Sequence, residues 1–173
     1  VHRSPLVANP DQRFEMLSLA IDNSSKFEIS DCEIKRGNFS YSIDTLRSLR
    51  KSYNDSPLCL IMGMDAFLAF DSWKDWEEIP EYAHLIITNR PNLNSKIDKP
   101  ILEKLLNSRL SKDKGELATQ TCGKIMMIEI PTLDISSSRI RELLRQGRFV
   151  DYLLPDPVIA YITTNKIYAG INK

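Results

Sequence analysis

Three consecutive serines, Ser136, Ser137 and Ser138, stand directly before Arg139 and Arg141 in the stretch ISSSRIRELLRQG. Ile140, Leu143 and Leu144 recur at helical spacing and Gly147 supplies a stop, so the stretch reads as one helix. A helix N-terminus carries unpaired N–H groups and partial positive charge. Acidic side chains suit that position, whereas arginines there cost roughly a few tenths of a kcal/mol each unless an anion joins them. The serines can cap the helix, but none has a Glu or Gln three places later to complete a reciprocal box. Free N–H groups, the hydroxyls of Ser136 and Ser138 and the guanidinium fork of Arg141 together make a phosphate site. The competing reading is a capped surface helix whose arginines pair with Glu142 or with nothing.

The elements that must position such a site alternate along the chain. Pro10 and Asp11 open a helix with Phe14, Leu17 and Ile21 on its apolar face. Residues 26–36 alternate imperfectly and read as a strand running into a loop. SIDTLRSLRKSY reads as a helix. LCLIMG, AHLIITN and KIMMIEI are short apolar runs bounded by breakers, which predicts buried parallel strands over 58–62, 85–88 and 125–130. DAFLAF, KDWEEI, KPILEKLLNSRL and DPVIAYITTNKI are helical, and SKDKGELATQT reads as a polar loop. Strands alternating with helices mean an α/β fold: a mostly parallel sheet with helices on both faces. Such folds bind ligands beyond the carboxyl ends of their strands. That rule singles out Gly63-Met64-Asp65, Thr88-Asn89-Arg90 and the serines after Ile135. Two of these bring arginine and one brings aspartate to a shared rim, which favours a nucleotide enzyme over a hydrolase of small apolar esters.

Composition narrows the field further. The 173 residues suit one domain, and Lys plus Arg equals Asp plus Glu at 23 each, so no broad nucleic-acid surface is expected. Three cysteines at wide spacing and two histidines argue against a disulfide framework or a zinc site. No apolar run approaches a membrane span, and the polar start is no signal peptide. Walker, nucleophile-elbow and Gly-x-Gly-x-x-Gly patterns are absent. His84 opens a strand away from the rim and reads as structural. Asp65 reads as a metal or ribose ligand, or as a helix cap. Trp73 and Trp76 read as ring-stacking residues, or as core packing three apart on a helix.

The motifs VHRSP, ANPDQRFEML, EIKRGNFSYSIDTL, LIMGMDAFLAFDSWKDWEEI, AHLIITNRP, ISSSRIRELLRQG and YLLPDPVIAYI, in this order and spacing, resemble the bacterial nicotinate-nucleotide adenylyltransferases. These are nucleotidylyltransferases of Rossmann-like fold, and the resemblance spans nearly the whole chain. It implies transfer of the adenylyl group of ATP to nicotinate mononucleotide, with pyrophosphate released, in NAD biosynthesis. The family's Ile-Ser-x-Thr-x-x-Arg motif falls on Ser136, Ser138 and Arg141, with serine at 138 where threonine is usual. It implies ATP binding by these three with Gly63 and Asp65, and a catalytic role for Arg141; Arg90, placed at the same rim by the strand-end rule, is expected to join the ATP-binding set. Tyr41-Ser42 matches the family's Tyr-Thr pair near the nicotinate; Thr45 follows on the same helix and Trp73 matches the tryptophan beside the pyridine ring.

The family's Gly-Gly-x-Phe-x-Pro-x-His-x-Gly-His segment would precede Val1. Residues 1–173 are therefore expected to be a single nucleotidylyltransferase domain lacking its first strand and histidine motif. The resemblance implies Mg²⁺ held mainly through ATP phosphates, with no dedicated protein metal site. Together with the cysteine usage, the balanced charge and the lack of a long apolar run, this leads to the expectation of a cytoplasmic monomer or homo-oligomer acting on ATP and nicotinate mononucleotide, with no nucleic-acid or membrane partner. The alternative acceptors are nicotinamide mononucleotide and pantetheine phosphate. The alternative class is a nucleotide-binding regulatory module without catalysis.

Overall fold

The structure is a computed structural model that describes residues 8–22, 24–37, 39–89, 97–131 and 135–168. In chain order the elements are helices α1 (Pro10–Ile21), α2 (Cys32–Arg36) and α3 (Ser42–Ser52), strand β1 (Cys59–Gly63), and helix α4 (Met64–Leu68). Two 3₁₀ turns, Phe70–Ser72 and Trp76–Glu81, lead to β2 (His84–Asn89), α5 (Pro100–Arg109), α6 (Lys114–Thr119) and β3 (Ile125–Glu129). Helices α7 (Ser137–Arg145) and α8 (Asp156–Thr164) follow. The chain forms two compact units, one of Val1–Arg36 with Leu133–Lys173 and one of Gly37–Thr132.

The middle unit holds a parallel sheet in the order β1-β2-β3. β2 is central, and His84 to Ile87 are all buried, because both faces of a parallel strand are covered. Successive strand residues point to opposite faces. Met62, Leu85, Ile87 and Ile125 therefore share a core with Ile43 and Leu46 of α3, Phe67 of α4 and Leu102 of α5. Ile86 and Met126 face the other way, against Leu117 of α6. Helices thus cover both faces, as expected. β1 is less buried than its apolar run predicts. It lies at the edge of the described sheet, and Ile61 is 68% exposed.

Three local expectations fail for identifiable reasons. Residues 26–36 hold no described strand; instead α2 forms, with Glu33 in its first turn, Lys35 and Arg36 in its last, and an Asp31–Lys35 ion pair at 2.9 Å. That charge order complements the helix dipole, and the apolar Phe27 stays 69% exposed rather than entering a sheet. SKDKGELATQT is not all loop. Asp113 caps α6 by accepting the Gly115 N–H at 2.7 Å, and Leu117 buries the helix against the sheet. In α1 it is Met16 and Leu19, not Leu17, that reach the cluster of Val158, Ile162 and Ile167, and Leu17 is exposed.

His84 is fully buried. Its Nδ1 accepts the Lys124 N–H at 3.0 Å, so the proton sits on Nε2 and is donated to the Gln120 carbonyl at 2.8 Å. The ring is a brace between the strand starts. Arg50 braces the same end, donating from Nη1 to the carbonyls of Tyr53, Asn54 and Ser56 and from Nη2 to those of Tyr82 and Thr121. His84→Ala is expected to cost about 3 kcal/mol, from a cavity plus two orphaned backbone groups, in a denaturant titration. A loss below about 1 kcal/mol would contradict this role.

In the other unit, α1 begins with a full capping box: Asn9 Oδ1 accepts the Gln12 N–H at 2.8 Å and Gln12 Oε1 accepts the Asn9 N–H at 3.0 Å. α7 ends as its sequence predicts. Gly147 takes φ +64°, its N–H reaches the Leu144 carbonyl and the Arg148 N–H reaches that of Leu143. This double closure needs a left-handed residue, which glycine supplies without strain.

Candidate active site

Parallel pairing aligns the strand ends. Gly63 is opposite Thr88, and Thr88 is opposite Ile128, so Gly63, Thr88 and Asn89 share the carboxyl rim of the sheet. Gly63 also caps α4 by its backbone, which throws Asp65 into the first helical turn as an exposed carboxylate. A Cβ at position 63 would lie 2.5 Å from Asp65 Oδ1, so glycine leaves room for that carboxylate to fold back over the strand end. Arg90 lies outside the described residues.

Tyr41 precedes α3 and caps it only by its carbonyl, which accepts the N–H groups of Asp44 and Thr45. Its side chain makes no cap bond. Ser42 and Thr45 are half-buried in the first turn. Trp73 is half-buried and packs edge-on against Phe70, with centroids 5.4 Å apart. Trp76 does the same from another side, at 5.8 Å. The two indoles do not share a helix as expected. Asp75 stands between them in the left-handed region, φ +47°, and turns the chain. The Trp73 N–H is taken by the Phe70 carbonyl at 3.0 Å, so the first turn of α3 is the better source of backbone donors for a carboxylate.

A charged network, not read from the sequence, joins these two segments. Arg47 on α3 donates to Glu78 Oε2 at 2.7 Å and Asp75 Oδ2 at 3.3 Å, and pairs with Asp44 Oδ1 at 3.6 Å. Its guanidinium also lies 5.9 Å from the Tyr82 ring centroid. Hydrogen bonds from Glu78 first, and then Tyr82, hold Arg47 in its charged form well above the ordinary arginine range. Lys74 reaches Asp44 Oδ2 at 3.5 Å and sits 4.7 Å from the centroid of the Tyr41 ring. The one available signal was a lysine directly after Trp73; its meaning needs the tertiary contact with α3.

In the other unit, Ser136 is the N-cap of α7, and its Oγ accepts the Arg139 N–H at 3.2 Å. Arg141 Nη2 reaches back to Ser138 Oγ at 3.3 Å. Glu142 is engaged by Arg145 at 3.3 Å and Gln146 at 2.8 Å. The fork of Arg141 therefore reaches back to the helix start, where it meets a neutral hydroxyl. Its stem lines an apolar groove of about 410 Å³ with Ile140, Leu144, Leu154 and Val158. The structure thus gathers Ser136, Ser138 and Arg141 in one place, Tyr41, Ser42 and Thr45 with Lys74 in another, and Gly63 with Asp65 at the rim.

Among the described residues no group of three His, Cys, Asp or Glu could hold a metal ion. No described helix is long and apolar enough to cross a membrane. The cysteines are free, and burial pushes the Cys59 thiol up, away from nucleophilic use.

Comparison with known proteins gives this arrangement its context. The Cytidylyltransferase-like family profile matches residues 1–143. The chain is 40% identical over 169 residues to a probable nicotinate-nucleotide adenylyltransferase of Methylococcus capsulatus, covering 97% of this chain and 80% of that protein. It is 38% identical to the nicotinate-nucleotide adenylyltransferase of Escherichia coli O157:H7, covering 96% of this chain and 79% of that one. In fold it is similar to the Plasmodium falciparum nicotinic acid mononucleotide adenylyltransferase, with a TM-score of 0.64 at 23% identity over 93% of this chain and 76% of that one. With its parallel sheet, helices on both faces and a match running nearly end to end, the chain belongs to the nicotinate-nucleotide adenylyltransferase family of nucleotidyltransferases.

Proposed function

We propose that the protein transfers the adenylyl group of ATP to nicotinate mononucleotide, giving nicotinate adenine dinucleotide and pyrophosphate. The observation that carries this reading is the 40% identity sustained over 97% of the chain. The match of the family profile across residues 1–143, which reaches into both compact units, supports one nucleotidylyltransferase domain.

The reaction needs no covalent enzyme intermediate. The mononucleotide phosphate attacks the α-phosphorus of ATP in line, the bond to the bridging oxygen breaks, and pyrophosphate leaves. Catalysis is then placement plus charge stabilisation. Arg141, with Ser136 and Ser138 at the start of α7, holds the phosphates that depart. Asp65, beside Gly63 and Thr88 at the rim, orients a ribose, and Arg90 adds positive charge to the ATP side. Tyr41 and Trp73 frame the pyridine ring, while Ser42 and Thr45 line the α3 side. When ATP binds with Mg²⁺, the ion would supply charge neutralisation at the phosphates and would draw most of its ligands from phosphate and water. At the rim the exposed Asp65 carboxylate is the protein group that would face it. Free cysteines and the ATP requirement fit a cytoplasmic enzyme, working as a monomer or homo-oligomer.

Pyrophosphate release assayed with ATP and each acceptor in turn tests the reading. Release should depend on nicotinate mononucleotide. Equal or better use of phosphopantetheine would overturn the acceptor assignment. Trp73→Ala should raise the KM for the mononucleotide roughly fivefold, the equivalent of ~1 kcal/mol of ring stacking, and leave that for ATP almost unchanged. A uniform loss of both, with the melting transition gone, would make Trp73 a packing residue only.

A further inference from the structure

Lys74 has no role in the reaction as described, yet its ammonium occupies an unusual position. It lies 4.7 Å from the centroid of the Tyr41 ring. Tyr41 sits immediately before α3, whose first turn has no side-chain cap. Lys74 directly follows Trp73 in the chain, so the cation is attached to one aromatic wall of the pyridine subsite and rests on the other. Its ion-pair partner is shared. Asp44 is 3.5 Å from Lys74 and 3.6 Å from Arg47, and Arg47 is itself held by Asp75 and Glu78. Lys74 therefore competes with a guanidinium for one carboxylate at a long distance. The Lys74 side chain remains 44% exposed, which leaves it able to swing toward an incoming anion.

We propose that Lys74 is a specificity-determining residue that selects the acidic pyridine nucleotide over its amide. This rests on the functional reading above. A nicotinate carries a carboxylate on the ring where a nicotinamide carries a neutral amide. Their remaining atoms are nearly the same in shape, so stacking on Tyr41 and Trp73 discriminates poorly between them. A charge does discriminate. The ammonium forms a charge-assisted bond with the carboxylate and only an ordinary one with the amide oxygen. The Tyr41 ring face keeps the ammonium near the subsite before substrate arrives. Asp44 works against the selection, because it repels the same carboxylate and draws the ammonium toward itself.

The test is the ratio of kcat/KM for nicotinate mononucleotide to that for nicotinamide mononucleotide, measured on the full chain and its variants. Lys74→Met should lower that ratio roughly tenfold or more, chiefly through the KM for the acid. The KM for ATP should stay within about twofold, and the amide should be used as well as before. Lys74→Arg keeps the charge and should retain most of the preference. Asp44→Asn should raise the ratio. Melting curves of all three variants separate a lost charge from a lost fold, and a partly exposed lysine should tolerate replacement. A ratio within twofold of wild type in a folded Lys74→Met overturns the role of Lys74 while leaving the adenylyltransferase reading intact. A wild-type protein that turns over neither mononucleotide, or prefers the amide, overturns both.

Discussion

Arg141→Ala is expected to lower turnover roughly 100-fold or more, an effect of about 3 kcal/mol on the barrier. The reasoning starts from what the residue is doing at rest. Its Nη2 meets Ser138 Oγ at 3.3 Å, and the nearby Glu142 is engaged by Arg145 and Gln146. A fork held at a helix start by a neutral hydroxyl is poised for an anion. On the proposed function its charge-assisted bonds to ATP would strengthen as negative charge moves onto the departing pyrophosphate, so the loss would fall on turnover as well as on binding. Arg141→Lys should recover only part, since an ammonium keeps the charge and loses the two-pronged geometry. Arg139→Ala should matter less, because residues two apart on a helix face different ways. Pyrophosphate release against ATP concentration, with melting curves for each variant, gives the readout. An Arg141→Ala protein that folds normally and keeps wild-type activity would reduce the motif to a helix cap. Stability would then shift by at most about 0.5 kcal/mol, as for an ordinary surface residue.

Phe70→Ala should unfold the protein more readily by about 3–5 kcal/mol. Phe70 is fully buried and meets three rings: Phe67 at 6.0 Å, Trp73 at 5.4 Å and Trp76 at 5.8 Å. Its removal opens a cavity and takes away the surface that sets the angle of Trp73. Two effects are therefore expected together: a lower denaturant midpoint, and a raised KM for the pyridine mononucleotide in whatever fraction stays folded. Phe70→Leu fills part of the space and should show the second effect with a smaller first one. A Phe70→Ala protein within 1 kcal/mol of wild type would mean that the ring cluster is not central to this unit.

Much of the fold was legible because its signals are local. Each of the three strands is a short apolar run between breakers, and a strand covered on both faces has no other use for such a run. The stop at Gly147 was legible because only a left-handed residue closes that helix end. The start at Ser136 was legible because a hydroxyl there satisfies an orphan N–H. The structural part of His84 was legible from its place at a strand start, and the two hydrogen bonds of its buried ring bear this out.

Other features depended on partners distant in sequence. The exposed side of β1 at Ile61 follows from its place at the sheet edge, which an apolar run does not encode. α6 was hidden inside a polar stretch, since its one buried anchor, Leu117, needs Ile86 and Met126 to pack on. The placement of Trp73 and Trp76 around Phe70 required the left-handed turn at Asp75, a conformation that an aspartate does not announce. The Lys74–Tyr41 and Arg47–Glu78 contacts join residues about 30 positions apart, which no helical or strand period relates. The sequence by itself determined the parallel strands, most of the helices and the serine–arginine motif, because period, capping and turn chemistry are written within a few residues. Only the tertiary structure decided which charges meet the aromatic wall, because a long, flexible lysine or arginine takes its partner from whatever the folded chain brings within reach.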